Sequence, residues 1–178
     1  MPKQTKQSSK TLKQTFAVIT AALSVAFLVL AGLAWWGGTY ATNMVRDELT
    51  AQKIFFPEAG SPGFSAEEYP DLQKYAGKQV NDYATAKAYA NGYIGRHLEN
   101  TADGKTYAEV STLARQNPDN QELQAQRQSL FMGETLRGVL LSSGFAFGLI
   151  GTIALIAAWV LFALAAVSAL AAFVLMKK

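Results

Sequence analysis

The only histidine, His97, stands in Arg96-His97-Leu98-Glu99, where a metal or proton-transfer site would first be sought. His-x-Glu occurs in zinc deaminases, but those sites also need cysteine ligands, and the chain has no cysteine. A single imidazole would need carboxylates converging from elsewhere, and the spacing supplies none. A surface histidine near a helix C-terminus, where it favours the helix dipole, is therefore expected. Glu67, Glu68 and Asp71 form an acidic cluster that could hold calcium. No Asp-x-Asp-x-Asp loop accompanies it, however, and acids gather at helix N-termini for electrostatic reasons alone. Tyr69, Tyr75, Tyr83, Tyr89 and Tyr93 could form a stacking surface or a quinone pocket, but tyrosines at helical spacing read first as the core and rim of a bundle. One histidine cannot furnish a Ser–His–Asp set with confidence in its partners, and no phosphate loop or dinucleotide fingerprint is present. Without cysteine there is no disulfide, thiol nucleophile, cysteine-ligated cluster or lipoprotein anchor. The expectation is a protein that is not an enzyme and has no metal or cofactor.

The elements around these residues are far more legible. From Gly138 to Met176 the chain carries no charge, and a core strand or ordinary buried helix cannot account for that. One bilayer crossing takes about 20 residues, so this run is nearly twice as long as it needs to be. Either one long helix crosses with its C-terminal half and projects its other half out of the bilayer, or the run folds into a hairpin of two short crossings. Lys177 and Lys178 favour the cytoplasmic side, and Trp159, about 20 residues earlier, suits an interface. A hairpin would lack polar turn chemistry, which favours the long helix.

Phe16–Trp36 is a second uncharged stretch, with lysines before it and Trp35-Trp36 at its outer end. Gly32-Leu33-Ala34 resembles a signal-peptide cleavage site. The stretch is nevertheless long for a signal, and tryptophans directly after a cut would be unusual. Trp35, Trp36 and Trp159 are the expected interface anchors. In the later run, Gly144 and Gly148 form a G-x-x-x-G, and Gly151, Ala154, Ala158, Ala165, Ala169 and Ala172 continue at roughly helical spacing. Such a stripe lets another backbone approach closely, although alanine and glycine are common in membrane helices anyway. The face from Gly144 to Ala154 is expected to pack against the Tyr40–Leu49 face of the first helix.

Charge is sharply segregated behind a mean hydropathy of only +0.09. All 13 acidic residues lie in the middle of the chain beside ten basic ones, a net charge of −3, and the other six basic residues flank the apolar runs. The overall +3 therefore reports membrane flanks and not a nucleic-acid footprint.

The expected order is a disordered cytoplasmic basic tail over 1–15, transmembrane helix 1 over 16–36 and an extracytoplasmic helical module over 37–137. A long apolar helix over 138–176, including transmembrane helix 2, leads to a cytoplasmic end at 177–178. Within the module, Gly37-Gly38 should interrupt an amphipathic extension running to about Lys53, and Phe55–Gly63 should break the helix. Ser65–Glu68 and Thr106–Glu109 read as capping boxes. Asp71 to about Leu98 reads as helical, with Gly77 able to split it. Asn117-Pro118 should end the helix that Thr106 opens, at about Gln116, and start the last one as its cap and first residue. No β pattern competes. The fold class is thus an all-α membrane protein, with two transmembrane helices flanking the module.

ELTAQKIFFP (Glu48–Pro57), YAGKQV (Tyr75–Val80), YIGRHL (Tyr93–Leu98), GKTYAEVS (Gly104–Ser111) and LFMGETLRGVLL (Leu130–Leu141) give Glu48–Leu141 a distinct signature. The segment resembles a group of small actinobacterial two-helix membrane proteins of uncharacterised role, often labelled aromatic ring-opening dioxygenases. That label would imply an iron site with histidine ligands. The resemblance implies a membrane-tethered helical module in a cell envelope. Its partners would be the lipid bilayer and other membrane proteins, including a second copy of itself, with no nucleic acid. Two functions fit: an accessory, scaffold or assembly subunit of a larger membrane complex, or an extracytoplasmic sensor signalling through a partner.

Overall fold

The computed structural model describes Pro2 to Lys177, with side chains from Lys10 onward. The expected roles of Lys3, Lys6 and Lys178 in membrane topology fall on side chains outside that range. Among the described residues every regular element is helical. The chain divides into two compact units, one formed by its two ends and the other by Ala41–Leu149.

The unit made of the ends is an antiparallel pair built from α1 (Pro2–Ala51) and α6 (Phe147–Lys177). The expected disordered tail is helical from Pro2. Pro2 is tolerated at a first helical position, no glycine or proline follows before Gly32, and the apolar run carries the cost of nucleation. Nor does α1 break at Gly37-Gly38. The stretches Lys10–Ala51 and Gln121–Lys177 are each long and apolar enough to cross a membrane. Their most apolar windows are only 17% and 11% buried, whereas the core helix of a water-soluble domain would be mostly buried.

The second unit is the module. α1 contributes its last turns, ending at Ala51, and Lys53 turns the chain with a positive φ of 53°. Residues 54–80 then fold back as a loop clasped by one antiparallel bridge, Phe55 with Gln79. The Phe56 amide donates to the Lys78 carbonyl and the Val80 amide to that of Ile54, both at 2.9 Å. The helix expected from Asp71 begins only at α2 (Tyr83–Lys87). At Ser65 a turn does form, since the Glu68 amide donates to Ser65 Oγ at 3.2 Å. Pro70, which has no amide donor and disfavours helical backbone in the residue before it, stops the turn from propagating. A short 3-10 turn (Gln73–Tyr75) follows, and Gly77, at φ +67°, splits the segment in a conformation that other residues rarely adopt. Asp82 starts the true helix: its Oδ1 accepts from the Thr85 amide at 2.7 Å, and its own amide donates to Thr85 Oγ1 at 3.0 Å.

From α2 the helix continues through a π segment (Ala88–Ile94) into α3 (Gly95–Thr101). The Thr106–Glu109 capping box opens α4 (Tyr107–Gln116) as expected, with both reciprocal bonds present. The cap of α5 (Gln121–Val139) is Asn120 and not Asn117. Asn117 closes α4 after Gln116, as expected, its side-chain amide donating to the Leu113 carbonyl at 3.0 Å. α5 then runs through a second π segment (Leu140–Ala146) straight into α6, so the apolar run is one helix and no hairpin forms. The core of the module joins Val45 and Leu49 to Phe56, Phe64, Tyr69, Leu72, Val80 and Leu140.

Candidate functional site

The two apolar helices meet along a seam of small residues. α1 buries Ala17, Ser24, Ala31 and Gly38, and α6 buries Gly151, Ala158, Ala165 and Ala172. Both sets recur every seven residues, the spacing that keeps a seam in register along a left-handed supercoiled pair. A β-carbon added at Gly38 would stand 2.8 Å from the Gly151 carbonyl oxygen and 2.8 Å from Leu155 Cγ. Only glycine therefore allows this backbone approach. Deeper along the seam, buried Ser24 donates its Oγ–H to the Ala165 carbonyl at 2.9 Å. Small residues for contact and a hydroxyl bonded across helices are the means by which apolar helices associate where hydrophobicity cannot drive them together.

The outside of the pair is the reverse. Val18, Trp36, Val167 and Leu170 are each more than 60% exposed. The expected anchors lie on the pair: Trp35 meets Trp159 edge to face at 5.4 Å, and Trp36 stacks on Tyr40 at 6.1 Å.

Of the residues expected to line a packing face, Gly151, Ala158, Ala165 and Ala172 lie in this seam, Ala154 is half-buried beside it and Ala169 is exposed. A strict repeat of seven, and not the three-or-four spacing read from the sequence, selects the contact. Gly144 and Gly148 belong to the module. A β-carbon at Gly144 would stand 2.9 Å from Ala86 Cβ and 3.5 Å from Leu49; at Gly148 it would stand 2.9 Å from Tyr83 Cβ and 3.4 Å from Val45. The expected partner face on α1 is there, but α2 shares it. Missed altogether was the α1 side of the seam. Its signal was available but diluted, since Ala17, Ser24, Ala31 and Gly38 recur at a fixed interval among other small residues such as Ala21, Ala22 and Ala26.

In the module the tyrosines are core. Tyr69 is 1% exposed and stacks on Phe64 at 5.4 Å. Tyr89 meets Phe56 edge to face at 5.0 Å, and Tyr93 bridges Phe64, Tyr69 and Tyr89. Burial, and then the charge of adjacent Glu68, pushes the Tyr69 phenol up to about 12. Burial also raises Tyr89. His97 is exposed and lies parallel to the Tyr93 ring at 6.5 Å. Two of the three acids in the cluster are held: Arg96 grips Asp71 with two bonds of 2.8 and 2.9 Å, and Asn100 donates to Glu68 at 2.6 Å. The guanidinium bond holds Asp71 below the usual carboxylate range. Among the described residues, no three of His, Asp and Glu are grouped closely enough to hold a metal ion. What the arrangement can do is bind: one seam is filled, and a broad apolar surface is left uncovered.

No protein-family model matches this chain, and no curated protein and no solved structure is significantly similar to it.

Proposed function

We propose that the chain is a non-enzymatic membrane protein that acts as an accessory, scaffold or assembly subunit of a larger membrane complex in the cell envelope. α1 and α6 each cross the bilayer once, both termini are cytoplasmic, and 39–137 face the other side. The lysines that precede the first crossing and follow the second support this orientation. Length supports it too: from Ala17 to Trp35 a helix rises about 27 Å, close to the ~30 Å of hydrocarbon. In this layout the N-terminal part of the long helix projects out of the bilayer. The resemblance of Glu48–Leu141 to two-helix membrane proteins agrees with it.

The observation that carries the reading is the inside-out pattern of the helix pair, with small residues within and large apolar ones without. Such a pair is complete as a seam and unsatisfied as a surface, and other apolar helices or lipid would cover it. Gentle detergent extraction followed by native electrophoresis tests the assignment. Migration of the chain in a defined assembly with other membrane proteins is expected. Migration as a lone monomer under every extraction condition would overturn it, and a small-molecule-dependent thermal shift would favour the sensor.

A further inference from the structure

The middle of the chain is acidic, yet one groove on the module is basic. It is an open groove of about 640 Å³ that includes Lys74, Lys87 and the Asp71–Arg96 pair in its lining. Asp71 and Arg96 satisfy each other through their double bond. Lys74 and Lys87 make no ion pair among the described residues. Instead their ammonium groups sit 5.0 Å from the Tyr75 ring centre and 4.8 Å from that of Phe145. A ring face attracts a cation without neutralising it, and although the charge of Lys74 also acts on Asp71, that carboxylate is already gripped by Arg96.

The opposite chemistry shares the groove. Leu72, Phe145 and Leu149 give it an apolar wall, and the last two belong to the charge-free run that begins at Gly138. The lining also draws on both π segments, through Ala88, Asn91 and Gly92 of one and Phe145 of the other. Such distortions of an α-helix are frequent at functional sites. A second groove of about 690 Å³ offers no comparable selection, because Glu99 and Glu134 line it together with Lys105 and Arg137.

We propose that the basic groove binds an anionic phospholipid. Lys74 and Lys87 hold the headgroup phosphate through charge-assisted hydrogen bonds, and Phe145 and Leu149, which in the layout above lie roughly 15 Å or more beyond Trp159, cover the glycerol and first acyl carbons of a lipid lifted from the bilayer surface. This rests on the membrane reading above, since only a chain resident in a bilayer meets such a ligand continuously.

The test is calorimetric titration of the purified full chain in a neutral detergent. The probes are dihexanoyl phosphatidylglycerol, dihexanoyl phosphatidylcholine and inorganic phosphate. Saturable binding of the glycerol lipid is expected, with the choline lipid and phosphate each weaker by roughly tenfold or more. Lys74→Gln with Lys87→Gln should lower that affinity by at least about tenfold, while Lys105→Gln leaves it unchanged. Both lysines are exposed, and an unaltered thermal unfolding curve would show that the variants fold. Equal binding of the choline lipid, equal binding of phosphate, an unchanged double variant or no saturable binding would each overturn the proposal. Because the titration needs neither a bilayer nor a partner, its failure is distinguishable from failure of the assembly or topology experiments.

Discussion

The helix pair and the module are built from one chain by opposite rules. The pair buries alanine, glycine and serine and turns its valines, leucines and tryptophans outward. The module buries Phe56, Phe64, Tyr69 and Leu72 and exposes its lysines and carboxylates. In water, removing large apolar surface is the main driving force, and aromatic residues contribute the most area each. In hydrocarbon that force is absent, so contact depends on how closely two backbones can approach. The difference teaches that the two units answer to two solvents, as proposed above. It also makes them separable in experiment. All three tryptophans lie in the pair, and every tyrosine except Tyr40 lies in the module.

The largest expected effect is in the module. Phe64→Ala removes a fully buried ring and should cost about 3–5 kcal/mol. Near-ultraviolet circular dichroism of the tyrosines should be lost at a lower temperature, with tryptophan emission unchanged. If both signals moved together, the two-solvent comparison would fail.

The next concerns the seam. Gly38→Leu should cost about 1–3 kcal/mol, because its first side-chain carbon already meets backbone atoms that cannot yield. Here the tryptophan emission should shift and the tyrosine signal should not. Loss of the tyrosine signal instead would mean that the seam and the module core fold as one.

A smaller effect is pH-dependent. Tyr69 is raised from its ordinary 10.0 to about 12, so folding favours its neutral form. The stability is fully present below pH 10 and is lost as pH rises toward 12. At pH 11 on the order of 1 kcal/mol of it should be gone. Comparing denaturant midpoints at pH 9 and pH 11 should show this loss in the parent chain and not in Tyr69→Phe. An equal loss in both would assign the alkaline sensitivity to other groups.

The smallest is Ser24→Ala, which deletes the hydrogen bond from Ser24 to the Ala165 carbonyl across the seam. Hydrogen bonds between apolar helices average about 0.6 kcal/mol, so a shift near that size in tryptophan-detected unfolding is expected. A cost several times larger would show that the hydroxyl, and not close packing, holds the pair.

How much was legible follows from the same division. The apolar runs could be read directly, because an uncharged stretch of that length has few uses. The Thr106–Glu109 cap could be read as well, since both of its partners are local. The helix expected from Asp71 could not. Leu72 and Ala76 match a helical stripe, but Pro70 and Gly77 set the local backbone, and Asp82 rather than Ser65 supplies the working cap. The tail before Phe16 was misjudged because polar composition alone ignores propagation from an adjoining helix. Half of the seam was missed because a glycine-alanine stripe was sought in one helix only. A contact between helices is written in both, and the seven-residue interval of Ala17, Ser24, Ala31 and Gly38 is its other half.

The central claim is that α1 and α6 cross a bilayer once each, with the module on the far side from both termini. The absence of native cysteine makes this directly testable. Single cysteines at Lys10→Cys, Asp103→Cys and Lys177→Cys would be exposed in intact cells to a membrane-impermeant maleimide. The expected result is labelling at position 103 alone, with positions 10 and 177 reacting only after the cells are opened. Labelling of position 10 or 177 from outside, or protection of position 103 until lysis, would contradict it.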